Sequence, residues 1–108
     1  MPQLDINSLR KLCTPENIEI TLHAAKRLEQ RGILLNDVFS CIQTGEIIEQ
    51  YPDDYPYPSC LILGMAINQK FLHVVIGSNM ATIWIITAYF PDTKKWEYDF
   101  KTRKETNL

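Results

Sequence analysis

His23, Arg27 and Arg31 recur at intervals of four residues, a spacing that sets them on one slowly drifting stripe of an α-helix. The stripe borders the apolar arc of Leu22, Ala24, Ala25 and Leu28, an edge where long stems pack while guanidinium heads stay free to hold phosphate. A structural role competes with this one: arginines near a helix C-terminus complement its dipole and can pair with Glu16, Glu19 or Glu49. A second histidine, His73, lies in an apolar run beside Phe71 and Val75, where a lone histidine is more often a hydrogen-bonded core residue than a catalyst. Together His23 and His73 could supply the acid and base of a phosphodiester cleavage, since histidine alone changes charge near neutral pH without help. The C-terminal segment adds Tyr89, Lys94, Lys95, Trp96, Tyr98, Lys101, Arg103 and Lys104, cations and aromatics suited to phosphates and bases, diluted by Glu97, Asp99 and Glu105.

Other chemistries find little support. The three cysteines, Cys13, Cys41 and Cys60, are an odd number at wide spacing, which argues for reduced thiols and against a disulfide framework. Neither they nor the two histidines show the short ligand spacing of a metal site, so no metal is expected. No glycine-rich nucleotide loop and no Gly-x-Ser-x-Gly elbow is present, so no cofactor is expected either. A net charge of -2 disfavours a broad nucleic-acid footprint but is compatible with a local basic groove. The first residues lack the pattern of a signal peptide and no apolar run is long enough to cross a bilayer, so a cytoplasmic location without membrane contact is expected.

The elements that must position these residues follow from periodicity. Ile6, Leu9 and Leu12 mark a short helix starting near Asp5 or Asn7 and ended by Pro15. After the short extended piece Ile18-Glu19-Ile20, Thr21 is the N-cap of a helix running to Arg31, with Gly32 as its left-handed stop. Asn36 or Asp37 caps a third helix, Val38 to Thr44, which Gly45 stops by the same logic. From Glu46 the period changes to that of strands: Glu46 to Tyr51, Cys60 to Ile67, Lys70 to Gly77 and Thr82 to Tyr89, the first two separated by a loop with three prolines. The expected fold is α+β, one domain over residues 1–108 with N-terminal helices packed on a mostly antiparallel four-stranded sheet. Both faces of that sheet are apolar: Leu72, Val74 and Ile76 alternate with Phe71, His73 and Val75, and Ile83 and Ile85 with Trp84 and Ile86. Helices cover one face, and the other needs Trp96 and Phe100 of the tail, a second copy as in a homodimer, or a partner.

From about Ile18 to Arg103 the chain resembles the bacterial family called domain of unknown function 4258. The matching features run in order: Thr21-Leu22-His23-Ala24, Arg27, Arg31-Gly32-Ile33, Gly45-Glu46-Ile47-Ile48-Glu49 and Tyr51-Pro52-Asp53-Asp54, then Pro58-Ser59-Cys60-Leu61, Leu72-His73-Val74-Val75, Thr87-Ala88-Tyr89-Phe90-Pro91 and Trp96. That family is similar to the BrnT and RelE groups of toxins, and the resemblance implies their fold and a toxin-like, metal-free endoribonuclease of a type II toxin-antitoxin pair. It also implies a cognate antitoxin, often a small protein with a zinc-binding module and a helix-turn-helix, and RNA as substrate. In such an enzyme His23 or His73 would be the base, Arg27, Arg31 and Arg103 the phosphate clamps, and Tyr89 or Lys101 would assist the leaving group or orient substrate. The alternative is a non-catalytic interaction module that keeps the toxin fold and binds a protein partner or dimerises through its sheet.

Overall fold

The structure, a computed structural model, describes residues 3–105. Its elements are α1 (Ile6–Leu12), a 3-10 turn (Pro15–Asn17), β1 (Ile18–Ile20), α2 (Leu22–Gln30), α3 (Leu35–Thr44), β2 (Glu46–Tyr51), β3 (Ser59–Met65), β4 (Phe71–Ser78) and β5 (Ile83–Tyr89). Local chemistry explains most boundaries. Asp5 caps α1 by accepting from the Ser8 N–H at 3.0 Å, and the Thr21 hydroxyl caps α2 by accepting from Ala24 N–H at 3.1 Å. At the far end of α2, Gly32 takes φ 70°, which lets Ile33 N–H reach back to the Leu28 carbonyl at 2.9 Å. The buried side chains of Ile33 and Leu28 belong to the same core, which completes a glycine-ended stop.

Two expectations about α3 are corrected. The helix begins at Leu35 with Leu34 as its cap residue, and Asp37 is not the cap. Asp37 instead sits one turn in, accepting from Leu34 N–H at 2.9 Å with one oxygen and from Ile67 N–H at 3.0 Å with the other. That double duty accounts for a nearly buried carboxylate. Gly45 is not a left-handed stop, since only Gly32 among the glycines has positive φ. Glycine is required there because a Cβ would lie 2.5 Å from the carbonyl oxygens of Cys41 and Leu63.

The sheet has five strands in the order β1-β5-β4-β3-β2, where four were expected. Ile18–Ile20 joins as a parallel edge strand beside β5, with Ile18 opposite Ile83 and Ile20 opposite Ile85, while the other pairings are antiparallel. Three residues are too short to display a period, which is why the piece reads as merely extended. Ile18 and Ile20 pack on the core, and Glu19 faces the opposite side with its neighbour Trp84.

Helices α2 and α3 cover one face. There Leu28, Val38, Cys41 and Ile42 meet Cys60, Ile62, Leu72, Val74, Ile76, Ile83 and Ala88. Cys41 donates its thiol to the Leu72 carbonyl, and burial pushes its pKa up to about 12, so it is a packing group rather than a nucleophile. The opposite face carries Leu61, Leu63, His73, Val75, Thr87 and Tyr89, and the C-terminal segment straps across part of it. Trp96 packs edge-on against His73 with centroids 4.5 Å apart, Phe100 meets Phe71 at 5.4 Å, and Lys101 and Arg103 pair with Glu46 and Glu49 of β2. Among the described residues no helix is long and apolar enough to cross a membrane.

Candidate functional site

Two β-bulges decide which polar residues share the strapped face. In β5 the pairing jumps from Ile85 opposite Ile76 to Thr87 opposite Val75, leaving Ile86 as the extra residue. Strict alternation from Ile83 and Ile85 would turn Tyr89 into the helix-covered core; the bulge inverts the phase, so Tyr89 stands opposite His73 on the other face. In β2 the pairing jumps likewise across Ile48, and this places Glu49 and Tyr51 on that same face. The C-terminal strap then closes over them.

His73 has no solvent exposure. Its Nε2 lies 2.8 Å from the Phe100 carbonyl oxygen and its Nδ1 3.2 Å from the Tyr89 hydroxyl. A carbonyl only accepts, so Nε2 carries the proton and Nδ1 of the neutral ring accepts from the tyrosine O–H. Burial lowers the His73 pKa below its ordinary value, which keeps that neutral form at pH 7. Burial also raises the pKa of Tyr89, so the pair is a phenol hydrogen-bonded to a neutral imidazole with a fixed tautomer. Among the described residues no buried side-chain nitrogen or oxygen lacks a partner.

Tyr89 opens on a cavity of about 440 Å³ whose wall also includes Arg31, Asp92, Lys95, Trp96 and Arg103. Arg31, the cap residue of α2, donates from Nη1 to the Ala88 carbonyl at 2.8 Å and to Thr87 Oγ1 at 3.0 Å. Since β1 ends opposite Ile85, Arg31 supplies a donor to β5 where β1 no longer runs beside it. Its Nε and Nη2 have no partner among the described residues. Asp92 accepts from the backbone N–H groups of Lys94 and Lys95, a turn that sets Lys95 at the rim. Arg103 stacks on Trp96 at 4.6 Å and grips Glu49 with Nε at 2.8 Å and Nη2 at 3.0 Å. That grip is the first cause holding the Glu49 carboxyl below its usual range. Tyr51 also donates to Glu49, and its own pKa is pushed up to about 12, by burial first and by that bond second. Arg31, Lys95 and Arg103 thus meet at the cavity with Asp92, and since Arg103 is already paired with Glu49, what is left is a small local excess of positive charge on an acidic chain.

The structure therefore gathers Arg31, His73, Tyr89 and Arg103, and leaves out the remaining candidates. His23, exposed in the first turn of α2, stands eight residues before Arg31, ~12 Å along a helix. Arg27 is exposed as well, and neither it nor His23 lines the cavity. Lys101 pairs with Glu46 at 2.9 Å beside a separate cleft. The acid and base pairing of His23 with His73 is accordingly not assembled; Tyr89 is the immediate partner of His73. Sequence reasoning passed over Glu49 and Tyr51 as site residues. Their only signal is a polar run, Glu49-Gln50-Tyr51, directly after the apolar pair Ile47-Ile48 in the same strand. Among the described residues no three His, Cys, Asp or Glu side chains are grouped as metal ligands.

A small α+β domain with a polar cavity opening on a half-buried tyrosine, itself bonded to a buried histidine, is the class of protein this defines. A family model, "Domain of unknown function (DUF4258)", matches residues 20–90, and the chain belongs to that family. The match includes Arg31, His73 and Tyr89 but not the strap that supplies Lys95, Trp96 and Arg103. Comparison with curated proteins and with solved structures gives no match.

Proposed function

We propose that the chain is a toxin-like endoribonuclease, related in fold to the RelE and BrnT groups, that cleaves RNA at the cavity without a metal. The observation that carries this reading is the meeting of Arg31, Lys95 and Arg103 around the Tyr89–His73 pair. The nucleophile is the RNA 2′-hydroxyl. As its oxygen bonds to phosphorus, its proton passes to the Tyr89 oxygen while the tyrosine proton passes to His73 Nδ1. The bond from phosphorus to O5′ breaks, leaving a 2′,3′-cyclic phosphate, and O5′ takes a proton from the Lys95 ammonium. Arg31 and Arg103 hold the added negative charge on the phosphoryl oxygens. A cognate antitoxin that covers the cavity, a small protein with a zinc-binding module and a helix-turn-helix, belongs to this reading.

The test is cleavage of an end-labelled RNA by the purified chain, with identification of a cyclic phosphate terminus. Tyr89→Phe removes the relay oxygen and should slow cleavage by ~100-fold or more, whereas Arg27→Ala, outside the cavity, should cut at the wild-type rate. RNA that binds but stays intact would remove the enzyme and leave a non-catalytic module with the same fold.

A further inference from the structure

The strap covers only one end of its face. At the other end the sheet presents Trp84 of β5, with Tyr57 stacked on it at 4.7 Å and the two rings nearly parallel, and beside them the bulged residue Ile86, half exposed. With Tyr55, which is 95% exposed in the proline-rich loop, these side chains enclose an apolar groove of about 550 Å³. Gly77 forms its floor, opposite Trp84 in the register. This glycine has no positive φ, and a Cβ there would make ordinary contacts, 3.5 Å from the Pro58 carbonyl oxygen and 3.6 Å from Ile86 Cδ1. The backbone therefore does not need glycine at 77; what glycine provides is open volume between Tyr57 and Ile86.

Charge specifies what could fill it. The ends of β2 and β4 and the starts of β1, β3 and β5 lie together at this end of the sheet. They bring Glu16, Glu19, Asp53 and Asp54, all exposed, and Glu19 shares the face of Trp84 as its neighbour in register. Between Arg31 and Lys94 the only lysine or arginine is Lys70, which belongs to the β3–β4 turn at the opposite end. The cavity with Arg31 and Lys95 lies at that opposite end too, beyond the last residues of β5. An apolar slot with an acidic rim is thus set apart from the basic cavity.

We propose that this groove docks a basic peptide segment of a partner protein, which inserts an apolar side chain against Trp84 and Ile86 and lays lysines or arginines along Glu19, Asp53 and Asp54. Apolar burial supplies the anchor, and the charged rim selects the sign of the partner and steers its approach. The proposal is independent of catalysis, because a segment seated here leaves the Arg31–Tyr89–Arg103 cavity open.

The experiment uses the full chain and two short synthetic peptides with the same leucine pattern, one with lysine and one with glutamate at every polar position. Binding is followed by calorimetry and by the two tryptophan indole resonances. The lysine peptide should bind saturably and shift Trp84 but not the buried Trp96, and the glutamate peptide should not bind. Gly77→Val, which fills the floor, and Ile86→Glu, at an exposed side chain, should each weaken the lysine peptide by about tenfold or more. Glu19→Gln with Asp53→Asn should weaken it at low salt and reduce its salt dependence. Thermal unfolding of every variant confirms that it is folded, and Ile86→Glu keeps the test decisive should Gly77→Val unfold. Equal binding of both peptides, shifts at Trp96, or binding indifferent to Gly77→Val and Ile86→Glu would overturn the proposal. So would a dimer of the chain, seen by sedimentation, that Ile86→Glu dissolves, for then a second copy fills the groove.

Discussion

Replacing His73 by leucine tests the strapped face directly, because leucine keeps most of the buried volume and removes both ring nitrogens. The Phe100 carbonyl loses the Nε2–H donor at 2.8 Å, and a carbonyl left without a partner beneath a docked segment costs about 1–3 kcal/mol. The edge contacts to Trp96 at 4.5 Å and Tyr89 at 5.2 Å are lost as well, each worth about 0.5–1.5 kcal/mol, partly offset by the apolar burial of leucine. A net loss of about 2–4 kcal/mol lowers Tm by roughly 10–30 °C for a domain of this size. The pH dependence carries the same signature. Because burial lowers the folded-state pKa of His73 below 6.5, the unfolded chain binds a proton first, and stability falls as pH drops below about 6.5 toward the folded-state value. Glu49, held below its ordinary 4.5, withdraws its contribution only at more acidic pH, so the window from about pH 7 to 5 isolates the histidine. Thermal unfolding of wild type and His73→Leu across that window should show a slope in the first and a flatter profile in the second. Equal slopes, or a Tm changed by only a degree or two, would refute the assignment of His73 as the buried neutral anchor of the strap.

Two further perturbations follow from the same geometry. Gly64→Ala would drive a Cβ into the Cys41 backbone of α3, a clash with main chain rather than a flexible side-chain tip, and should cost about 3 kcal/mol or more in urea unfolding. Arg31→Gln removes the guanidinium donor to the Ala88 carbonyl and one cavity charge; it should lower stability by about 1 kcal/mol and reduce the salt slope of RNA binding by about one phosphate contact, read from affinities over a salt series.

Much of the fold is legible in the sequence wherever a local signal fixes it. Thr21 and Gly32 bound α2 because the cap hydroxyl and the left-handed glycine act within a few residues of their partners. Asp37 misleads because it reaches back to Leu34 N–H from inside the helix and forward to Ile67 N–H, a contact thirty residues away. Gly45 misleads in a different way: glycine has two uses, a left-handed φ and a close approach, and only the tertiary packing of α3 on β3 shows that this one serves the second. The fifth strand is hidden because Ile18–Ile20 takes its register from β5, more than sixty residues away, rather than from any pattern of its own.

The site is less legible than the fold, and the bulges are the reason. A period-two reading of Ile83 to Tyr89 assigns Tyr89 to the core with Ile83 and Ile85, and a period-two reading of β2 does the same to Glu49 and Tyr51. One extra residue in each strand, Ile86 and Ile48, moves these polar side chains to the face where His73 already points. The buried histidine then has a tyrosine partner, and the carboxylate has Arg103 from the strap, so charges and dipoles that would be costly in the core become the attachments of a segment that closes over them. The same Ile86 that rephases β5 is left half exposed in the acidic-rimmed groove. A single insertion in one strand thereby builds both the polar pair beneath the basic cavity and the apolar wall at the other end of the sheet.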